Sequence, residues 1–112
     1  MRKIIAIDFD GTITKESVYP QMGEMRQDAI KVIKELSKHY ILCLWTCRSG
    51  SFLVEAINAL EKNGVKFDYI NNSPITPPST RKIIADYYID DRVITSSVDW
   101  KKIRKELLEC IQ

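Results

Sequence analysis

Four carboxylates stand in two tight pairs: Asp8 and Asp10, separated by Phe9, and Asp90 beside Asp91. Like charges so crowded raise one another's pKa unless a cation offsets them. A hard divalent ion is the usual solution, and Mg²⁺ takes a few carboxylates, a backbone carbonyl, waters and phosphate oxygens. Other residues suit an anion. Thr46 offers a hydroxyl, Lys82 a point charge, Arg48 a guanidinium that binds substrate or phosphate or pairs with a surface carboxylate, and Gly11 a backbone open to close approach. Acid pairs, a cation and anion-holding donors are the parts that phosphoryl transfer needs. Its transition state spreads negative charge over the equatorial oxygens.

Residues so far apart in the chain need a fold that gathers them. Residues 3–7 are a short apolar run that stops at Asp8 and reads as a strand. Residues 26–39 carry Ala29, Ile30, Ile33 and Leu36 at helical spacing. Residues 40–45 are continuously apolar, as in a strand buried on both faces of a parallel sheet. Ser51 can cap a second helix bearing Leu53, Ala56, Ile57 and Leu60, and Asn63-Gly64 supplies its stop. Residues 66–70 suggest a third strand, 72–80 a loop, and 85–89 a fourth strand. Trp100, Ile103, Leu107 and Ile111 mark a last amphipathic helix. The alternation predicts an α/β, three-layer Rossmann-like fold with a mainly parallel sheet and right-handed crossovers. Ligands of such folds bind beyond the carboxyl ends of the strands, where Asp8, Thr46 and Asp90 are expected to converge.

The chain has 112 residues, which predicts one domain spanning 1–112. Its hydrophobic fraction of 45% and charged fraction of 29% are those of a globular protein. A net charge of +2 gives no strong signal for nucleic acid or an anionic membrane. No apolar stretch approaches the roughly 20 residues that span a bilayer. The basic start and the run Ile4–Ile7 faintly suggest a signal peptide, but the run ends in Asp8 and Asp10. Cys43, Cys47 and Cys110 form no metal-ligand pattern, and reduced thiols in a cytoplasm fit best.

The motifs, taken in order, resemble those of the haloacid dehalogenase-like hydrolase superfamily. Asp8-Phe9-Asp10-Gly11-Thr12 after an apolar strand is similar to its first motif, Leu44-Trp45-Thr46 to its second, Lys82 to its third and Tyr88-Ile89-Asp90-Asp91 to its fourth. A closer resemblance is to a small capless branch of bacteria and phages. Tyr19-Pro20-Gln21-Met22-Gly23, Arg48, Ile89 to Arg92 and Asp99-Trp100 carry it. The resemblance implies a Mg²⁺-dependent phosphohydrolase of phosphate monoesters. In it, Asp8 attacks phosphorus and forms an aspartyl phosphate. Asp10 protonates the leaving oxygen and then takes a proton from water. Mg²⁺ is held by an Asp8 oxygen, the Asp10 backbone carbonyl and the Asp90-Asp91 pair, with Asp91 favoured as the direct ligand. Thr46 and Lys82 hold the phosphoryl group, and Lys82 offsets the charge of Asp8.

Lid domains of this superfamily are inserted between the first and second motifs, or between the second and the lysine. Here neither gap has room for one, so no cap domain is expected. Closure then falls to a homo-oligomer neighbour, to a short flap at 13–24 with Tyr19 facing the site, or to the substrate's bulk; the loop 72–80 is expected to line the mouth. Rival readings are a nucleotidase acting on nucleoside monophosphates, a non-catalytic phosphate- or partner-binding module, and transfer to an acceptor other than water. Arg92 is expected to fix Asp90 or Asp91 or to cap a loop. His39 is expected at a helix end, and Trp45 and Trp100 in the core.

Overall fold

The computed structural model describes residues 1–94 and 97–109. Strands and helices alternate as β1 (Ile4–Ile7), α1 (Gln27–Leu36), β2 (Ile41–Leu44), α2 (Gly50–Lys62), β3 (Tyr69–Ile70), β4 (Tyr87–Ile89) and α3 (Trp100–Leu108). All pairings are parallel, in the order β3-β2-β1-β4. The chain builds outward from β1 to β3, then returns to the other side of β1 for β4. That reversal makes the β1/β4 boundary the switch point, where a crevice opens beyond the strand ends.

β1 and β2 are apolar throughout because both of their faces are covered. Ile5, Ile7, Leu42 and Leu44 join one core cluster; Ile4, Ala6 and Cys43 join another. All three helices bury their apolar residues in the first cluster, including Ile33 and Leu36 of α1, Ala56 and Leu60 of α2, and Trp100 and Leu107 of α3. The second face is covered by irregular chain through Ile83, with Trp45 and Ala85 half-buried beside it. This corrects the expected three layers: among the described residues, no helix packs on that face. Pro74, Pro77 and Pro78 remove backbone donors and fix φ there. Side chains close the segment instead. Ser73 Oγ donates to the Ile84 carbonyl at 2.7 Å, and the Ile84 N–H donates to Thr76 Oγ1 at 2.9 Å.

β3 and β4 are shorter than their apolar runs suggest, and each is preceded by an aspartate. Asp68 Oδ2 accepts the Leu42 N–H at 2.9 Å, and Asp86 Oδ2 accepts the Ile4 N–H at 2.7 Å. A carboxylate thus takes the place of a ladder carbonyl at both outer strands. The first helix ends at Leu36, and His39 lies in the turn beyond it. Ser51 does not cap α2: the helix begins at Gly50, and Ser49 holds the N-cap position without a side-chain bond. Asp99 does cap α3, accepting the Lys101 and Lys102 N–H groups at 3.1 and 3.2 Å. Cys110 and Ile111 lie outside the described residues. Among the described residues, no helix is long and apolar enough to cross a membrane.

Candidate active site

The Asp8 N–H donates to the Ile89 carbonyl at 2.9 Å, which extends the β1–β4 ladder and brings Asp8 level with Asp90. The Trp45 N–H donates to the Ile7 carbonyl at 2.8 Å, so the end of β2 stands beside them. Beyond β1 the chain turns around the Phe9 carbonyl, which accepts the Thr12, Ile13 and Thr14 N–H groups. Phe9, Thr12 and Ile13 are fully buried. Thr12 Oγ1 donates to Asp8 Oδ2 at 2.9 Å, and Trp100 Nε1 donates to the Thr12 carbonyl at 3.0 Å. The last helix therefore anchors the turn that carries both acids.

Carboxylate oxygens of Asp8, Asp90 and Asp91 all lie within 4.8 Å of one another. Burial raises the pKa of Asp8 from 3.8 to about 7; the Thr12 hydroxyl opposes the shift, and Asp90 and Asp91 add to it. Asp91 is raised as well, by burial and then by its hydrogen bond with Asp90. Three hard oxygen ligands that resist joint ionisation fit a divalent cation of the Mg²⁺ type. Gly11, at φ 80°, makes the packing of Asp91 possible, because a Cβ there would strike the Asp91 carboxylate. Its N–H donates to Thr14 Oγ1 at 2.9 Å, so the expected role of this amide in holding an anion is not available. Among the described residues, the Phe9 and Asp10 N–H groups have no acceptor in the chain.

Asp10 faces a different partner. Arg48 Nε and Nη2 donate to its two carboxylate oxygens at 2.8 and 2.7 Å. Arg48 Nη2 also donates to the Gln21 carbonyl at 2.8 Å, and Nη1 to the Pro20 and Phe52 carbonyls at 3.4 Å each. The guanidinium lies 5.3 Å from the Phe9 ring centre and 5.2 Å from that of Tyr19. Its hydrogen bond to Asp10 raises the Arg48 pKa. Arg48 thus stands in a buried ion pair with Asp10, in place of the expected phosphate or surface carboxylate.

A cleft of ≈ 240 Å³ is lined by Asp8, Asp10, Ser17, Tyr19, Cys47, Asp90, Asp91 and Arg92. The expected flap does contribute, through Ser17 and Tyr19, and a Thr14–Met25 bridge closes its base. Gly23 lets the Glu16 carbonyl approach within the flap where a Cβ would clash. The loop 72–80 is not among the lining residues, and its Ser73 is tied to the Ile84 carbonyl instead. Thr46 is not among the lining residues; its Oγ1 accepts the Arg48 N–H at 3.1 Å, and its own N–H donates to Asn71 Oδ1 at 2.8 Å. Lys82 is exposed, with Nζ 5.2 Å over the Tyr88 ring, and is not among the lining residues. The Arg92 N–H donates to Asp90 Oδ1 at 3.0 Å. Thr12 and Trp100 gain roles that the sequence reading did not give them. The only signal was their presence in the motif segments.

No family model matches the chain, and no curated protein matches it. A solved structure, that of a conserved protein coded by a locus from Bacteroides thetaiotaomicron, is similar at 36% identity with a TM-score of 0.85. The likeness covers 98% of this chain and 93% of that one.

Proposed function

The chain belongs to the family of the conserved Bacteroides thetaiotaomicron protein, and we propose that it is a Mg²⁺-dependent phosphohydrolase of the haloacid dehalogenase-like type, cleaving phosphate monoesters through an aspartyl phosphate on Asp8. The observation that carries this reading is the meeting of Asp8 with Asp90 and Asp91 at the switch point, with Asp10 in the same cleft.

In the first step an Asp8 carboxylate oxygen attacks phosphorus. The bond to the ester oxygen breaks, and that oxygen takes a proton from Asp10. Water then attacks phosphorus and gives its proton to Asp10. The bond to Asp8 breaks, releasing inorganic phosphate and restoring the carboxylate. Thr12 orients Asp8 through its 2.9 Å bond. The Phe9 and Asp10 N–H groups are the turn's donors for the phosphoryl oxygens, and Thr46 and Lys82 complete that shell, Lys82 by swinging from Tyr88. Asp8, Asp90, Asp91 and the Asp10 carbonyl would hold Mg²⁺, which supplies neutralising charge for the crowded acids and the phosphate.

The flap leaves the cleft open, so the leaving group is read loosely or by a neighbouring copy of the chain. A panel of phosphate esters with Mg²⁺, run beside Asp8→Asn, tests the proposal. Mg²⁺-dependent phosphate release by the native chain and none by the folded variant is expected. Full hydrolysis by Asp8→Asn would sink the nucleophile assignment.

A further inference from the structure

We infer that Arg48 is a positioning residue for proton transfer, holding the Asp10 carboxylate and the flap as one rigid unit. The inference rests on the proposed role of Asp10 as the proton carrier. A guanidinium has five N–H donors. In Arg48 all five are taken: two by Asp10, and three by the carbonyls of Pro20, Gln21 and Phe52. Its side chain is fully buried, while 14% of the Asp10 side chain remains exposed toward the cleft. A phosphoryl oxygen could reach Arg48 only by displacing one of these acceptors and leaving a buried charge short of its partner.

The paired bonds to both Asp10 oxygens fix the plane of the carboxylate as well as its position, which a single-point cation such as lysine cannot do. That plane matters for chemistry. A general acid must stand within hydrogen-bond reach of the leaving oxygen, and a misplacement of about 1 Å can cost about 10²-fold. The same guanidinium binds the carbonyls of Pro20 and Gln21, next to Tyr19, which stacks on it and lines the cleft. The flap wall and the proton carrier are thus set by one side chain. In place of a moving lid, the chain has a wall fastened to its acid.

The test compares kcat/KM, which reports steps through phosphorylation of Asp8, on two esters. Phenyl phosphate needs its leaving oxygen protonated; dinitrophenyl phosphate does not. Arg48→Lys is expected to lose about 10²-fold on phenyl phosphate and less than about threefold on dinitrophenyl phosphate. Asp10→Asn is expected to show the same split. Equal losses of Arg48→Lys on both esters, with the split intact in Asp10→Asn, overturn the inference and leave the proposed function standing. Absence of the split in Asp10→Asn overturns the acid role itself. If Arg48→Lys does not fold, the native chain is used: its Arg48 Nε–H resonance should shift on Asp10→Asn and stay fixed when orthovanadate is added. A resonance that moves with vanadate and ignores Asp10→Asn makes Arg48 a phosphate ligand.

Discussion

The Asp91 carboxylate fills the space beside the Gly11 Cα where any other residue would carry its Cβ; that atom would fall 3.0 Å from Asp91 Cγ and closer still to Oδ2. The turn after β1 and the end of β4 are therefore fitted to each other, not merely near.

Gly11→Ala should expose that fit. The substitution meets both the collision and a φ of 80° that side chains rarely adopt. It is expected to cost about 1–3 kcal/mol of stability. By pushing Asp91 aside, it should also weaken Mg²⁺ binding by about 10–100-fold. Urea unfolding and titration calorimetry measure the two effects. Unchanged Mg²⁺ affinity in the folded variant would detach Asp91 from the metal site.

The second prediction concerns pH. The pKa of Asp8 is raised in the folded state, from 3.8 to about 7. The folded state therefore favours the protonated acid. Its contribution to stability is full below about pH 4 and is lost as pH rises toward about 7. Asp8→Asn keeps an acceptor for Thr12 and removes the titration. Without metal, the variant should melt above the native chain at about pH 8, with the difference closing near pH 4. Mg²⁺ should raise the Tm of the native chain at neutral pH and move the variant less. A difference in melting that is constant with pH counts against the raised pKa.

Much of this site could be read from residue order, because strand ends converge by topology. Asp8, Thr46 and Asp90 each follow an apolar run, and a parallel sheet can only bring such ends to one edge. Arg48 shows where that reading stops. Its position after β2 is visible in the sequence, but its pairing with Asp10, in place of a phosphate or a surface carboxylate, goes with flap carbonyls that reach it. That contact spans 28 residues to Pro20 and has no local pattern. Asp68 and Asp86 were hidden for a similar reason: their carboxylates act as ladder acceptors, so the strands they precede look longer in sequence than they are. The expected helix on the second face failed because alternation does not say which face each helix takes, and irregular chain through Ile83 covers that face without one.

Trp100 gives the third prediction. Its fully buried indole both fills the core and donates to the Thr12 carbonyl. Trp100→Phe should cost about 2–4 kcal/mol, from the lost volume and the acceptor left without its donor. Because Thr12 holds Asp8, kcat should fall as well, in protein that remains folded at low temperature. Denaturant melts and initial rates measured on the same preparation separate the two. Lost stability with native kcat would make Trp100 a core residue only.

The last prediction compares Lys82, proposed to hold the phosphoryl group, with Arg92. Arg92 lines the cleft, whereas Lys82 rests on the Tyr88 ring. Tyr88 itself is fixed, with its hydroxyl donating to the Ile83 carbonyl at 2.6 Å. A lysine stem is flexible and its ring contact is weak at an exposed site, about 0.5–1 kcal/mol, so the charge of a bound phosphoryl group can draw it off. Lys82 precedes Ile83, which packs with Ala6 and Cys43 on one sheet face, and Asp8 continues that face beyond Ala6. Lys82→Gln is therefore expected to lower kcat by about 10²-fold. Arg92→Gln should act mainly on KM, because an exposed guanidinium at the mouth meets the substrate before and after chemistry alike. Steady-state rates with one phosphate ester at saturating Mg²⁺ decide between them. A native kcat in Lys82→Gln together with a collapsed kcat in Arg92→Gln would transfer the phosphoryl contact to Arg92.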